Sequence, residues 1–330
     1  SRDNYAHLRP GMEADAFIIA PATANILAKA AHGLADDILS CQVLSYPRSI
    51  LFAPAMNSRM LDAAPTQDNL ELLRKRGHTI LDAASGSLAC GEIGSGRLAE
   101  PRELLLATLK SLAPQDMDGM KVMVTLGRTE EAWDSVRRWT NPSSGKMGGA
   151  IAIAAWLRGA EVHAIQGPGD VYLPMGIHRH DIKTAQELFE AASSLWPDMD
   201  VACCVAAVCD FRPKPFEQGK FKKSQASQGL SIEFLQNPDT LAYLGASKSE
   251  SQILIGFAAE TEGLEDQLAS KLTAKNTDLM VGNIIGRPDT GFAASDNQVT
   301  VLDANGRKEA WPVLAKTEIA WRIWDWLATL

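Results

Sequence analysis

The chain is short of cysteine and of positive charge, and it contains no long apolar run. Its five cysteines, in 330 residues, form an odd set without framework spacing. That excludes a disulfide-stapled secreted domain and leads us to expect a reducing, cytoplasmic setting. Forty acidic residues against 32 basic ones leave a net charge of −8, which argues against non-specific binding to nucleic acid or an anionic membrane. Local basic clusters can still hold phosphorylated small molecules. No stretch approaches the roughly 20 apolar residues of a membrane span, and the opening carries no signal-peptide pattern. The G-x-G-x-x-G fingerprint is missing after either first strand, which counts against a nicotinamide dehydrogenase. The G-x-x-x-x-G-K-[ST] spacing of a P-loop is missing too.

What is present reads as an ordinary globular chain long enough for two domains. Short apolar strands at 16–20 and 49–53 each end at Ala-Pro, with one helix expected over 24–39 between them. A helix over 66–77, with Thr66 as cap and Gly77 as stop, a strand at 78–82 and a helix at about 101–112 complete a first unit, 1–112. The stretch "LAPQDMDGM" supplies a linker, 113–120. A second unit, 121–330, starts afresh with a strand at 121–125, a polar loop over 126–146 and a helix over 148–158. A strand at 161–165, a helix at 184–195 and an apolar strand at 200–208 follow. This alternation predicts an α/β protein with two Rossmann-like parallel-sheet domains, with ligands beyond the carboxyl ends of the strands. The sequence also opens without Met and runs almost at once into a buried strand, so we expect a fragment that has lost an N-terminal portion.

Five segments carry candidate chemistry. "APATAN" (20–25) and "APAMN" (53–57) are twin strand ends, each closing on an asparagine. One such turn is unremarkable; two at consecutive strand ends point to one pocket. "GSLACGEIGSGR" (86–97) puts Cys90 in a glycine-rich loop, whereas Cys203 and Cys204 sit in an apolar run as small buried hydrophobes. "TNPSSGKMGGAIAIAAWLRG" (140–159) is a polar Gly/Ser turn opening a helix, a place where backbone N–H groups favour phosphate. Arg137 and Arg138 stand just before it. "AAVCDFRPKPFEQGKFKKSQ" (206–225) leaves a buried strand at Asp210 for a basic loop with Lys220, Lys222 and Lys223, which suits a metal–triphosphate. Lys271 and Lys275 share one face of an expected helix. Taken singly, His7 reads as a surface histidine and the lysines as solvated charges.

Together and in this order, "HLRPGMEADAFIIAPATAN", "APAMNSRM", "SGSLACGEIGSGRLAEP", "VRRWTNPSSGKMG", "AAVCDFRP", "KFKK", "QNPDTL", "IGFAAET" and "GFAASDNQVT" resemble a bacterial bifunctional family of coenzyme A biosynthesis. That family joins phosphopantothenoylcysteine decarboxylase to phosphopantothenate–cysteine ligase, and the resemblance runs over essentially the whole chain. It implies a flavin-dependent decarboxylase half over 1–112 and a ligase half over 121–330. In the first half it implies FMN, with Thr23 and Asn25 as flavin contacts and His7 as the active-site histidine. Asn57 would bind the substrate carboxylate, and Cys90 would be the proton donor to the enethiolate left after carbon dioxide departs. In the second half it implies CTP, Mg2+, 4′-phosphopantothenate and cysteine, reacting through an acyl-cytidylate. Asp210, Lys220, Pro238, Asp239, Thr240, Leu241, Phe257, Lys271 and Lys275 match the nucleotide-binding positions. Asn141 matches the residue that holds the acyl-cytidylate, with Arg137 beside it on the substrate. A homo-oligomer is implied as well.

Two departures stand out. The family's "TAGGT" turn reads "TLGRT" (125–129), so Arg128 either alters a close backbone approach or supplies a guanidinium in its place. Its "AND" reads "GNI" (282–284), losing an acid. Two rival readings stay open at this point: a ligase with a vestigial flavin-type half, and a non-catalytic binding protein.

Overall fold

Apolar strands separated by helical spacing bury both faces only in a sheet that helices cover on each side. The computed structural model describes residues 8–87, 93–216, 219–222, 229–260, 263–284 and 296–329. His7, Cys90 and Lys223 lie outside these residues. Contacts gather into two compact units, Ser1–Pro114 and Gln115–Leu330.

In the first unit α1 (Arg9–Glu13) precedes β1 (Phe17–Ala22), α2 (Ala24–His32), α3 (Ile38–Ser45), β2 (Ile50–Pro54), α4 (Ser58–Asp62), α5 (Ala64–Lys75) and β3 (Thr79–Ile80). The strands pair in parallel in the order β1-β2-β3, and Leu27, Ile50, Phe52 and Leu73 fill the core beside them. The single helix expected over 24–39 is two. Gly33 closes α2 in the left-handed conformation, φ +68°, with its N–H on the Lys29 carbonyl. Asp37 then opens α3 in a reciprocal capping box with Ser40. A left-handed stop followed by a fresh cap outweighs continued apolar spacing. Thr66 does not cap α5 either: Pro65 is pre-shaped for a first turn, so the helix begins at Ala64 and buries Thr66. β4 (Ala84–Ser87) and β5 (Ile93–Arg97) pair antiparallel, and α6 (Pro101–Leu112) follows.

The second unit opens with β6 (Lys121–Leu126), the hairpin β7 (Glu130–Ala132) and β8 (Arg138–Thr140), α7 (Lys146–Leu157), β9 (Glu161–Gln166), β10 (His178–Asp181), α8 (Ala185–Leu195) and β11 (Val201–Cys204). It continues through β12 (Phe211–Pro213), β13 (Phe234–Gln236), α9 (Thr240–Ser247), β14 (Ile253–Glu260), α10 (Leu264–Ala274) and β15 (Leu279–Ile284). The chain closes with β16 (Asp296–Asn297), β17 (Val299–Asp303), β18 (Lys308–Ala310), β19 (Leu314–Ala315) and α11 (Lys316–Leu327). Eight strands form one sheet in the order β10-β9-β6-β11-β14-β15-β17-β18. The first six run parallel, while β17 and β18 are antiparallel additions at one edge. Val122, Val124, Ile151, Ile319 and Trp324 pack one face of this sheet; Met123, Ile165, Leu188, Trp196 and Leu254 pack the other.

Strand β11 is shorter than the expected 200–208, because the amides of Val205 and Ala206 turn to the Thr125 hydroxyl (3.1 and 3.2 Å). The polar stretch 126–146 holds the β7–β8 hairpin rather than only loop. Among the described residues no helix is long and apolar enough to cross a membrane.

Candidate active site

Strand order in the large sheet reverses between β6 and β11, which opens a crevice beyond their carboxyl ends. Glycine lines its floor. Gly127 has φ +85°, and a Cβ there would sit 2.7 Å from the Gly167 carbonyl oxygen. Gly145, the residue before α7, has φ +74°, and a Cβ on it would meet Val171 at 2.8 Å and Gly127 at 3.1 Å. These positions let the start of α7 lie directly on β6, with its first-turn amides facing a cavity of about 460 Å³. Arg128 is not the strained replacement its position invited. Its guanidinium ion-pairs Glu130 at 3.0 Å and donates to the Ser143 carbonyl at 3.2 Å, which tethers the turn before α7. Asn141 is half-buried on the same cavity and donates its amide to the Val208 carbonyl at 3.0 Å.

A second cavity of about 310 Å³ adjoins, sharing Ala206, Val208 and Phe257 with the first. Asp210, Pro238, Asp239, Thr240, Leu241, Phe257, Lys271 and Lys275 all line it. Asp239 caps α9 through the Ala242 N–H at 2.9 Å and pairs with Lys275. Burial pushes the Asp239 carboxyl up, yet the Lys275 contact and the Ala242 N–H outweigh it and hold the group below the usual range. Lys271 pairs with Glu260 at the end of β14. The Thr240 hydroxyl is buried with no hydrogen-bond partner among the described residues. A buried polar atom left so is costly unless something visits the cavity.

Arg137 and Lys220 stand outside both linings, joined to each other through Asp134. The Asp134 carboxylate accepts from the N–H groups of Val136 (2.8 Å), Arg137 (2.6 Å) and Phe221 (3.1 Å) and from the Arg137 guanidinium. The Phe221 ring packs 5.2 Å from that of Trp133. Exposed Lys220 is thus carried on a segment anchored to the β7–β8 hairpin. Sequence reasoning missed Asp134, and it missed Asn283, Asn297 and Lys316, which line the larger cavity. Lys316 lies far along the chain at the head of α11, where no motif pointed to it.

In the first unit the twin strand ends lie side by side, the Ala55 N–H on the Ala22 carbonyl at 3.1 Å. Thr23 caps α2 and Asn57 caps α4 through the Ile26 and Arg59 amides, while Asn25 is exposed. The Met56 N–H donates to the Gly96 carbonyl at 3.0 Å, and the Ser58 hydroxyl to the Ser95 carbonyl at 2.6 Å. Strand β5, which follows the Cys90 segment, is therefore fastened to the Asn57 turn. Gly96 is required there: at φ +130° a Cβ would fall 2.2 Å from the Met56 carbonyl oxygen.

Residues 1–113 match the model of the Flavoprotein family, and residues 117–330 match that of the DNA/pantothenate metabolism flavoprotein C-terminal domain. The chain is 38% identical over 329 residues to the coenzyme A biosynthesis bifunctional protein CoaBC of Bacillus subtilis (strain 168), covering 98% of this chain and 80% of that one. It is 37% identical over 314 residues to the protein of the same name from Vibrio cholerae, covering 95% and 78%. A crystal structure of the C-terminal domain of CoaBC superimposes with a TM-score of 0.54 at 34% identity, covering 64% of this chain and 95% of that one. The DNA/pantothenate metabolism flavoprotein from Streptococcus pneumoniae shares the fold, with a TM-score of 0.55 at 22% identity over 64% of this chain and 99% of that one.

Proposed function

The chain belongs to the family of bifunctional coenzyme A biosynthesis proteins, and from that premise we propose how its two units divide the chemistry. The second unit joins cysteine to 4′-phosphopantothenate with CTP, and the first decarboxylates the product with FMN. The observation that carries the ligase assignment is the pair of adjoining cavities at the strand-order reversal, one of which collects eight of the nucleotide candidates around an unpartnered Thr240 hydroxyl.

In the ligase step a carboxylate oxygen of 4′-phosphopantothenate bonds to the α-phosphorus of CTP, and pyrophosphate leaves. The cysteine amine then attacks the acyl carbon and CMP leaves. The protein's task is positioning and charge stabilisation. Thr240 and Asp239 supply a hydroxyl and a carboxylate beside Phe257 for the nucleoside, Lys271 and Lys275 supply positive charge, and Asn141 presents an amide to the acyl-cytidylate. Lys220 and Arg137 act from the segments that Asp134 joins. Magnesium would be held by Asp210 together with the phosphates, where it neutralises their charge. The only cluster of three potential metal ligands among the described residues, Glu161, His163 and His178, is on β9 and β10, so a single carboxylate plus phosphate oxygens suits this site.

For the first unit, the exposed Thr23 and Asn25 beyond β1, beside the Asn57 turn, offer polar groups where an α/β sheet takes its ligand, which fits a flavin. Bound flavin supplies the hydride acceptor and donor that make the cysteinyl carboxylate labile. Asn57 would hold that carboxylate, His7 would serve as the active-site histidine that the family resemblance implies, and Cys90 would return the proton to carbon.

Replacing Lys220 with Gln is expected to slow pyrophosphate release by roughly a hundredfold, the usual cost of removing one positioned charge from a reacting phosphoryl group. A rate within about threefold of wild type would make Lys220 an ordinary solvated lysine. With Asn141→Asp the acyl-cytidylate should form and then accumulate, because a carboxylate repels the negative charge developing on the acyl oxygen. Rapid quenching reads this directly, and unimpaired amide synthesis would overturn the role given to Asn141.

A further inference from the structure

The larger crevice cavity has a cationic wall that the steps above do not use. Lys316 is only 6% exposed, opens α11, and lines this cavity with Lys146, Asn283 and Asn297. Lys146 is the first residue of the twelve-residue helix α7, so its ammonium and the first-turn amides serve the same space. Burial pushes the Lys316 ammonium toward its neutral form, Lys146 pushes it further the same way, and the Asp296 carboxylate opposes them. Lys146 and Lys316 thus bring positive charge from α7 and α11 to one cavity beside a helix start, a setting that favours an anion.

We propose that Lys316 grips the β- and γ-phosphates of the nucleotide, the part that leaves as pyrophosphate. The inference rests on the CTP-dependent ligase reading. The two cavities share Ala206, Val208 and Phe257, so a nucleoside lodged among Pro238–Leu241 passes its phosphates over that wall toward Lys316. As the carboxylate oxygen bonds to the α-phosphorus, the bond from that phosphorus to the bridging oxygen breaks, and pyrophosphate departs with the electron pair. Lys316 meets the charge that gathers on the departing group. The competing source of the same chemistry is the phosphate of 4′-phosphopantothenate.

The test uses the whole chain with Lys316→Met and Lys316→Arg. Inorganic pyrophosphate binding is read by calorimetry, and the two half-reactions are read separately. The Met variant should bind pyrophosphate at least tenfold more weakly and form acyl-cytidylate on the order of a hundredfold more slowly. It should convert supplied acyl-cytidylate and cysteine to amide within about twofold of wild type, since pyrophosphate has then gone. The Arg variant should recover part of both losses.

Unchanged pyrophosphate affinity would overturn the proposal. A loss confined to the KM for 4′-phosphopantothenate would also overturn it, by placing the other phosphate there. An Arg variant as impaired as the Met variant, with both melting early, would make Lys316 a packing residue. Wild-type protein that binds pyrophosphate but releases none from CTP would sink the ligase reading, while the pyrophosphate seat would still stand or fall on the Met variant's affinity.

Discussion

Arg128 occupies a turn where the family pattern places glycine, and its surroundings explain why the exchange is tolerated. Among the described residues only Asn276 combines a side chain with positive φ, so the backbone at Arg128 asks for no glycine. The glycines that geometry does demand, Gly127 and Gly145, are both in place. The cysteines divide by environment in the same way. Cys203 is fully buried on β11, and burial, with the Asp239 carboxylate adding to it, pushes the neighbouring Cys204 thiol up to about 12. The unreactive thiol therefore dominates at pH 8.5, since the thiolate is the form that reacts. Iodoacetamide at that pH should leave Cys203 and Cys204 unmodified in the folded protein and label both in denaturant, as read by peptide mass mapping. Rapid native labelling of Cys203 would contradict its burial.

At the scale of elements, the Asp134 carboxylate ties the β7–β8 hairpin to the segment 219–222, alongside the Trp133–Phe221 ring contact. Burial tends to raise the Asp134 pKa, but the N–H groups of Arg137, Val136 and Phe221, followed by the Arg137 charge, bring it down to about 2. The folded-state value lies below the ordinary 3.8, so the stabilisation is complete above about pH 4 and fades as pH falls toward 2. Asp134→Asn should therefore melt earlier than wild type at pH 6, with the gap closing between about pH 4 and pH 2.5. A gap independent of pH would remove the carboxylate from this role. The same variant should also lose ligase rate at pH 7, because Arg137 and Lys220 lose their common anchor.

At the scale of the molecule, each unit has its own core, so the second is expected to fold and ligate when expressed as residues 115–330. Where the cut falls matters. Arg158, buried at the end of α7, pairs with Asp116 (2.5 Å) and with Asp325 on α11 (2.6 Å), and Met117 is buried beside it. Starting at residue 119 removes one partner of a buried guanidinium together with Met117. That loss, about 2 kcal/mol with Asp116 half in solvent, lowers Tm by roughly 4–8 °C relative to the 115–330 form. Equal melting temperatures would show that Asp116 and Met117 contribute nothing to the unit.

The alternation of strands and helices could be read from residue order, because apolar period and turn residues act locally. Local signals misjudged where two of them competed, as at Gly33 and Asp37 within one apolar pattern and at Pro65 against Thr66, and where a distant partner intervened, as when the Thr125 hydroxyl ends β11 well before residue 208. What residue order left open was which loops meet. The reversal between β6 and β11, set by the packing of both sheet faces, brings Asn141 and Phe257 onto one cavity and Phe257, Thr240 and Lys275 onto its neighbour. Asp134 and Lys316 were illegible for the same reason. A lone aspartate in a polar stretch and a lysine at a helix start acquire meaning only when burial removes their water and distant segments supply their partners.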